Sequence, residues 1–267
     1  MVVTLFLTSS PTGPLDGSRP VVGLDKMNGF VEKLKEHWVQ NARVLMISAT
    51  PDSFRQNDEM KEFFQNAFAI EDFSISSFDL LDRRTEEISR EKLHHYDVII
   101  LGGGHVPTQN AYFHELGLRG KLKDYNGIVI GISAGTMNCG DMVYAVPEEA
   151  GEAVDPAYQR FIIGLGLTDV MLLPHYQMVK NYKKDGLRLY SDIVLVDSLW
   201  NGGQTFISLC DVSYLYQKGD ERIVYGEAWI TSNGDHRLFC EQDNYKNIVV
   251  NKKAEQKSAF SLNVIIK

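Results

Sequence analysis

Cysteine is scarce in this chain: Cys139, Cys210 and Cys240 are the three cysteines among 267 residues, and none stands in C-x-x-C spacing. That argues against a disulfide-built fold and a thiolate zinc site, and it suits a reduced, cytoplasmic compartment. Long apolar runs are missing too. The opening run VVTLFL is too short to span a membrane, has no basic leader and passes into a loop with proline and glycine, so it reads as a first strand. Nor is there a basic excess. Lys and Arg number 27 against 35 Asp and Glu, for a formal charge of −8, which disfavours general nucleic-acid binding and speaks mainly to solubility. No repeat, low-complexity tract or linker breaks the chain, so residues 1–267 are expected to form a single domain.

What the chain does contain is alternation. Apolar, strand-like runs VVTLFLT, RVLMISA, FSISSFDL, DVIILGG and GIVIGIS fill the first half. Segments of helical spacing lie between them: Met27, Phe30, Val31, Leu34 and Trp38 in one, Met60, Phe63, Phe64 and Ala67 in another. A third helix is predicted at TEEISREKLHHY, with Thr85 as its cap and Glu86 and Glu87 at its positive end. Parallel neighbours need crossover connections, so the pattern predicts an α/β fold, a mostly parallel sheet with helices on both faces. The second half is richer in strands (DVMLLPHY, TFISLCDVSYLYQKG, RIVYGEAWI), with one helix expected at VKNYKKDGLRLYSDIV.

Ligands of such sheets bind beyond the carboxyl ends of the strands. Two of those ends carry chemistry. Gly131-Ile132-Ser133-Ala134-Gly135 fits the G-x-S-x-G elbow, in which a tight strand-to-helix turn lifts a serine hydroxyl above the sheet. Gly102, Gly103 and Gly104 close the preceding strand, where backbone N–H groups can approach an oxyanion. The bland alternatives are a small residue in a turn and a plain strand-end loop.

A serine nucleophile needs a base on the same sheet edge. His37, His94 and His95 lie in helical segments beside charged neighbours, His114 follows Tyr112 and Phe113, and His105 belongs to the glycine loop. His175 closes an apolar strand behind Pro174, which restricts the backbone that carries the imidazole; His236, near the turn SNGD, is the second candidate. Asp211 is flanked by apolar residues, and an acid there is costly to bury unless paired, as by a histidine N–H. Backbone amides at a strand end could also hold it. Cys139 reads as a small packing residue.

Taken in order, LTSSPTG, ILGGGHVPTQNAYF, GISAGT, LLPHY and ISLCDVSYL make the chain resemble the S51 serine peptidases, which include aspartyl dipeptidase (peptidase E) and cyanophycinase. The resemblance implies a fold like that of class I glutamine amidotransferases (flavodoxin-like), with serine where those enzymes place cysteine. It implies Ser133 as nucleophile, His175 as base, and Ala134 with Gly103 or Gly104 as oxyanion donors. Asp211 is the favoured acid of this set. Glu148 is the alternative, since dipeptidases carry an acid in the loop after the serine. Arg188 matches by spacing the arginine with which dipeptidases bind an N-terminal aspartate, although its surroundings differ.

The expectation is therefore a serine hydrolase acting on a small peptide or amide, dipeptidase-like, needing neither metal nor organic cofactor, with no nucleic-acid or membrane partner, as a monomer or homodimer. Two rivals stand beside it. One is an α/β-hydrolase esterase with the chain order Ser133, Asp197, His236. The other is a ligand-binding protein on the same fold without turnover.

Overall fold

The five apolar runs of the first half form β1 (Thr4–Thr8), β2 (Ala42–Ile47), β3 (Ile75–Leu81), β4 (Val98–Leu101) and β5 (Ile128–Ile132). In the computed structural model, which describes residues 2–248 apart from 16, 19 and 86, they run parallel in the order β1-β5-β4-β2-β3. Helices connect them: α1 (Phe30–Lys35), α2 (Phe54–Ile70), α3 (Arg90–His94), α4 (Val106–Glu115) and α5 (Leu118–Lys121).

Neighbouring strand residues point to opposite faces, and both faces here are apolar. Phe6, Val44, Met46, Ile100 and Ile130 pack with Phe30, Leu34, Phe64 and Phe68 of α1 and α2. On the other face Leu5, Leu45, Ile99 and Val129 pack with Leu93, Phe113 and Leu118 of α3, α4 and α5. Helices therefore cover both sides of the sheet, as the alternation predicts.

After β5 come α6 (Ala134–Asn138), β6 (Met142–Tyr144), β7 (Phe161–Ile163), β8 (Met171–Leu173) and α7 (Tyr176–Val179). The pairs β9 (Lys183–Lys184) with β10 (Leu187–Arg188), then α8 (Leu195–Asp197) and β11 (Thr205–Leu209), follow. The last strands among the described residues are β12 (Tyr214–Lys218), β13 (Glu221–Tyr225), β14 (Ala228–Ser232), β15 (Asp235–Cys240) and β16 (Tyr245–Asn247). β12 joins β1 antiparallel, and β13 and β16 continue outward to make, among the described residues, a mixed sheet of eight strands. A second sheet has the order β15-β14-β11-β8. This is the strand-rich C-terminal part.

Two helices differ from expectation. The third begins at Arg90, with the Ser89 hydroxyl capping the N–H of Lys92 at 3.1 Å, so Ser89 rather than Thr85 is the cap. Thr85 instead closes a turn onto the Asp82 carbonyl, and Glu86 lies outside the described residues. The expected helix over VKNYKKDGLRLYSDIV is interrupted by the β9–β10 hairpin. Asp185 and Gly186 both have positive φ (51° and 85°), the geometry that an Asp-Gly hairpin turn requires. Helical structure resumes only at Leu189–Val194, with a π-type turn.

Candidate active site

Strand register brings the chemistry to one edge. Thr8 lies opposite Ile132 in the β1–β5 pair, and Leu101 lies opposite Gly131 in the β4–β5 pair. The next residues, Ser9, Ser133 and Gly102, thus leave the sheet side by side. β8 and β11 are also parallel, with Leu173 opposite Ser208, so His175 and Asp211 each follow the end of neighbouring strands. The chain then passes from the second sheet to the first, and Tyr214 at the start of β12 meets Thr8. That crossing brings Asp211 to the end of β1.

The elbow at Ser133 depends on close approach. A Cβ at Gly131 would lie 2.8 Å from the Thr136 Cα, and one at Gly135 would collide with the Leu101 carbonyl oxygen. Neither obstacle is a flexible side-chain tip. Ser133 itself adopts φ 49° and ψ −111°, outside the usual regions for an L-residue, and its N–H is tied to the Thr8 carbonyl at 3.1 Å. His175 (φ 59°) and Val212 (φ 64°), next to Asp211, also have positive φ. Uncommon backbone at all three points is the kind of local strain that a surrounding fold holds in place at functional sites.

The side chains of these residues form a continuous relay. His175 Nε2 is 2.8 Å from Ser133 Oγ, and His175 Nδ1 is 2.6 Å from Asp211 Oδ1. An ionised carboxylate only accepts, so Nδ1 carries the proton and Nε2 faces the serine hydroxyl as an acceptor in the neutral imidazole. Ser9 Oγ donates to Asp211 Oδ1 at 2.8 Å and accepts the backbone N–H of His175 at 2.8 Å. The Leu15 N–H donates to Asp211 Oδ2 at 3.0 Å. Burial alone would raise the Asp211 pKa. The hydrogen bond and charge of His175, with the Leu15 and Ser9 donors, outweigh burial and hold the carboxyl below its ordinary value.

Other candidates fall in varied places. A Cβ built on Gly103 would lie 3.4 Å from the Cβ of Ser133, so the glycine loop passes directly over the serine. Among the described residues, no backbone acceptor pairs with the N–H groups of Gly103 and Gly104. Ala134 is buried at the first position of α6. Arg188 is exposed on β10, where its guanidinium pairs with Asp192 at 3.1 Å, and it does not line the cleft described below.

Glu148 lies in the loop between β6 and β7, and its neighbours are the Val106 N–H and the Glu152 carboxylate rather than His175. Although the residue is exposed, desolvation of its carboxyl, reinforced by the charge of Glu152, pushes its pKa up to about 7 against the Val106 hydrogen bond. Glu152 in turn bonds His105 Nε2 at 2.9 Å and accepts the backbone N–H groups of Glu148 and Glu149 at 2.8 Å each. His105, Glu149 and Glu152 are the one described group of three whose ligand atoms lie within 4.8 Å of one another, as a cation would need. The carboxylate of Glu152 is already committed to His105 and to these two N–H groups.

His236 is held elsewhere, its Nε2 2.8 Å from the Tyr176 hydroxyl and its Nδ1 3.0 Å from that of Tyr190. Asp197 bonds Tyr144 and Arg160, at 2.7 and 2.9 Å. The Cys139 thiol is fully buried and its pKa is raised by burial alone. Sequence reasoning missed Ser9 and Gln177, the latter accepting the Asp211 N–H at 3.1 Å. The paired serines that end the first strand were the available signal for Ser9.

Ser133 and His175 open into a cleft of about 440 Å³. Ser9, Ser10, Thr12, Gly103 and Gly104 line it on the strand-end side, and α2 forms the facing wall. Among the described residues, no helix is long and apolar enough to cross a membrane.

Comparison with curated protein sequences gives no match. Among solved structures, a peptidase from an acI-B1 Actinobacterium is similar over 92% of this chain and 97% of its own, with a TM-score of 0.63 at 16% identity. A protein assigned to peptidase E from Listeria monocytogenes EGD-e is similar over 84% of this chain and 98% of its own, with a TM-score of 0.54 at 17% identity. At such identities these likenesses speak to fold, and the large mixed sheet with its covering helices is common ground. The sequence profile of peptidase family S51 matches residues 23–200, a span that includes the glycine loop, the serine elbow and His175. The chain belongs to peptidase family S51.

Proposed function

We propose that this S51 protein is a serine-type peptidase that hydrolyses small peptides or related amides, in the manner of a dipeptidase. The observation that carries this reading is the unbroken relay Ser133 Oγ, His175 Nε2, His175 Nδ1, Asp211 Oδ1, with separations of 2.8 and 2.6 Å, whose Ser133 and His175 line a cleft.

In this mechanism His175 Nε2 takes the hydroxyl proton as Ser133 Oγ attacks the scissile carbonyl. The tetrahedral oxyanion then accepts hydrogen bonds from the Ala134 N–H and from Gly103 or Gly104, a contribution of roughly 3 kcal/mol per donor in serine proteases. Collapse expels the amine, which receives the proton from His175 and leaves an ester on Ser133. Water, deprotonated by the same imidazole, hydrolyses that ester and regenerates the hydroxyl. Asp211 keeps the proton on Nδ1 and stabilises the imidazolium in both halves. None of these steps calls for a metal or an organic cofactor.

The test is turnover of a dipeptide panel by the wild type and Ser133→Ala, alongside labelling by a fluorophosphonate probe. The expected result is loss of both in the variant, by about 10⁴-fold or more in kcat. Full retained turnover in Ser133→Ala would sink the nucleophile assignment.

A further inference from the structure

One face of α2 has two roles. Gln56, Glu59, Met60, Phe63 and Phe64 recur at three- and four-residue intervals and all line the cleft. Phe64 is 6% exposed and belongs to the core, while Met60 and Phe63 are only partly buried at its border. The loop after β1 adds Pro11 and Leu15 to the lining, and Leu15 is left 52% exposed. The same Leu15 donates its backbone N–H to Asp211, so the apolar wall and the catalytic relay share a loop.

Partly exposed Met, Phe and Leu side chains that line one cleft with Ser133 are apolar surface that the described fold leaves uncovered. On this wall the Glu59 carboxylate is paired with Arg55 at 2.8 Å in solvent, a pair without net charge. A substrate carboxylate seated against these apolar side chains would lose hydration, and no lysine or arginine lines the cleft among the described residues to replace it.

Resting on the reading of Ser133 as an amide-hydrolysing nucleophile, we propose that the substrates are small peptides with an apolar side chain, leucine- or phenylalanine-like, next to the scissile bond. That side chain is seated between Leu15 and the Met60–Phe63 face of α2. Leu15, Met60 and Phe63 are then specificity-determining residues, and acidic side chains are selected against.

The experiment compares kcat/KM for Leu-Gly, Phe-Gly, Gly-Leu, Gly-Phe, Asp-Gly, Gly-Asp and Gly-Gly, with Ser133 labelling followed in parallel. The best apolar dipeptide should exceed both the best acidic one and Gly-Gly by about tenfold or more. Leu15→Asp, at an exposed position whose backbone donor is retained, and Phe63→Ala should each cut the ratio of the best apolar dipeptide to Gly-Gly by about tenfold. This ratio is internal to one preparation, so partial unfolding of a variant does not move it. A preference for Asp-Gly or Gly-Asp that depends on Ser133 overturns the inference and leaves the peptidase reading standing. Labelling of Ser133 without turnover of any apolar dipeptide overturns the inference in the same way. Absence of both labelling and turnover removes the peptidase reading, and the inference with it.

Discussion

Asp211 is buried at a crossing between two sheets and is reached by three donors, from His175, Ser9 and Leu15. Glu148 stands in a loop, where one backbone N–H, that of Val106, opposes the charge of Glu152. Both acids are available to a histidine on sequence grounds, yet their surroundings push them in opposite directions. The donors around Asp211 hold its carboxyl below the ordinary value, so it is fully ionised where the imidazole must accept a proton. Glu148 is pushed up to about 7 and makes no bond to His175. Desolvation is unfavourable to both carboxylates, although Asp211 is buried and Glu148 is an exposed residue. What separates them is the number of donors that the fold brings to each.

The largest effect expected from breaking this contrast is in Asp211→Asn. An amide facing Nδ1 no longer fixes the proton there, and kcat/KM on a responsive dipeptide should fall by about 10³- to 10⁴-fold, read by steady-state kinetics. Stability should change with a definite sign. A carboxyl whose folded pKa is depressed stabilises the protein above its unfolded pKa, near 4, and that contribution disappears as pH falls through the lower folded value. The melting-temperature gap between wild type and Asp211→Asn should therefore be full at pH 7 and narrow below about pH 4.

A smaller loss is expected in Ser9→Ala, which removes one donor to Asp211 and the acceptor for the His175 N–H. The relay itself survives, so kcat should fall by about tenfold with KM little changed.

Glu148→Gln sits at the other end of the scale, with kcat/KM within about threefold of wild type because, among the described residues, no hydrogen bond ties the carboxyl to the relay. Its stability slope is the reverse of that at Asp211. A carboxyl raised toward 7 contributes fully below its unfolded pKa and loses that contribution as pH climbs through the folded value. Glu148→Gln should accordingly melt higher than wild type at pH 8 and almost with it at pH 4, measured by differential scanning calorimetry.

The sequence is most informative where backbone geometry dictates residue type. Gly131 and Gly135 are required by the approach of Thr136 and Leu101, so the elbow carries its own signature. The central parallel strands β1, β5, β4 and β2 are legible because nearly all their residues are buried on both faces, which leaves continuous apolar runs, whereas β3 at the sheet edge is only half-buried and mixes Ser and Asp with its apolar residues. Contacts made across the sheet are a different matter. The Ser9–Asp211 hydrogen bond spans 202 positions and exists because β12 returns antiparallel to β1, a pairing that no local pattern announces. Asp-Gly at 185 and 186 did signal a hairpin, but the helical spacing on either side of it masked the turn. Arg188 shows the converse: the resemblance to the S51 dipeptidases implies a substrate-binding residue there, while the same hairpin places it on an exposed strand, paired with Asp192.

The central claim is that Ser133 is activated through His175 by Asp211. Its most direct test is the rate and site of fluorophosphonate labelling, mapped by peptide mass spectrometry, in wild type, Asp211→Asn and Glu148→Gln. The account predicts a single adduct on Ser133, forming at least about a hundredfold more slowly in Asp211→Asn and at close to the wild-type rate in Glu148→Gln. An adduct on another residue, or a slowing in Glu148→Gln that matches or exceeds that in Asp211→Asn, would contradict it.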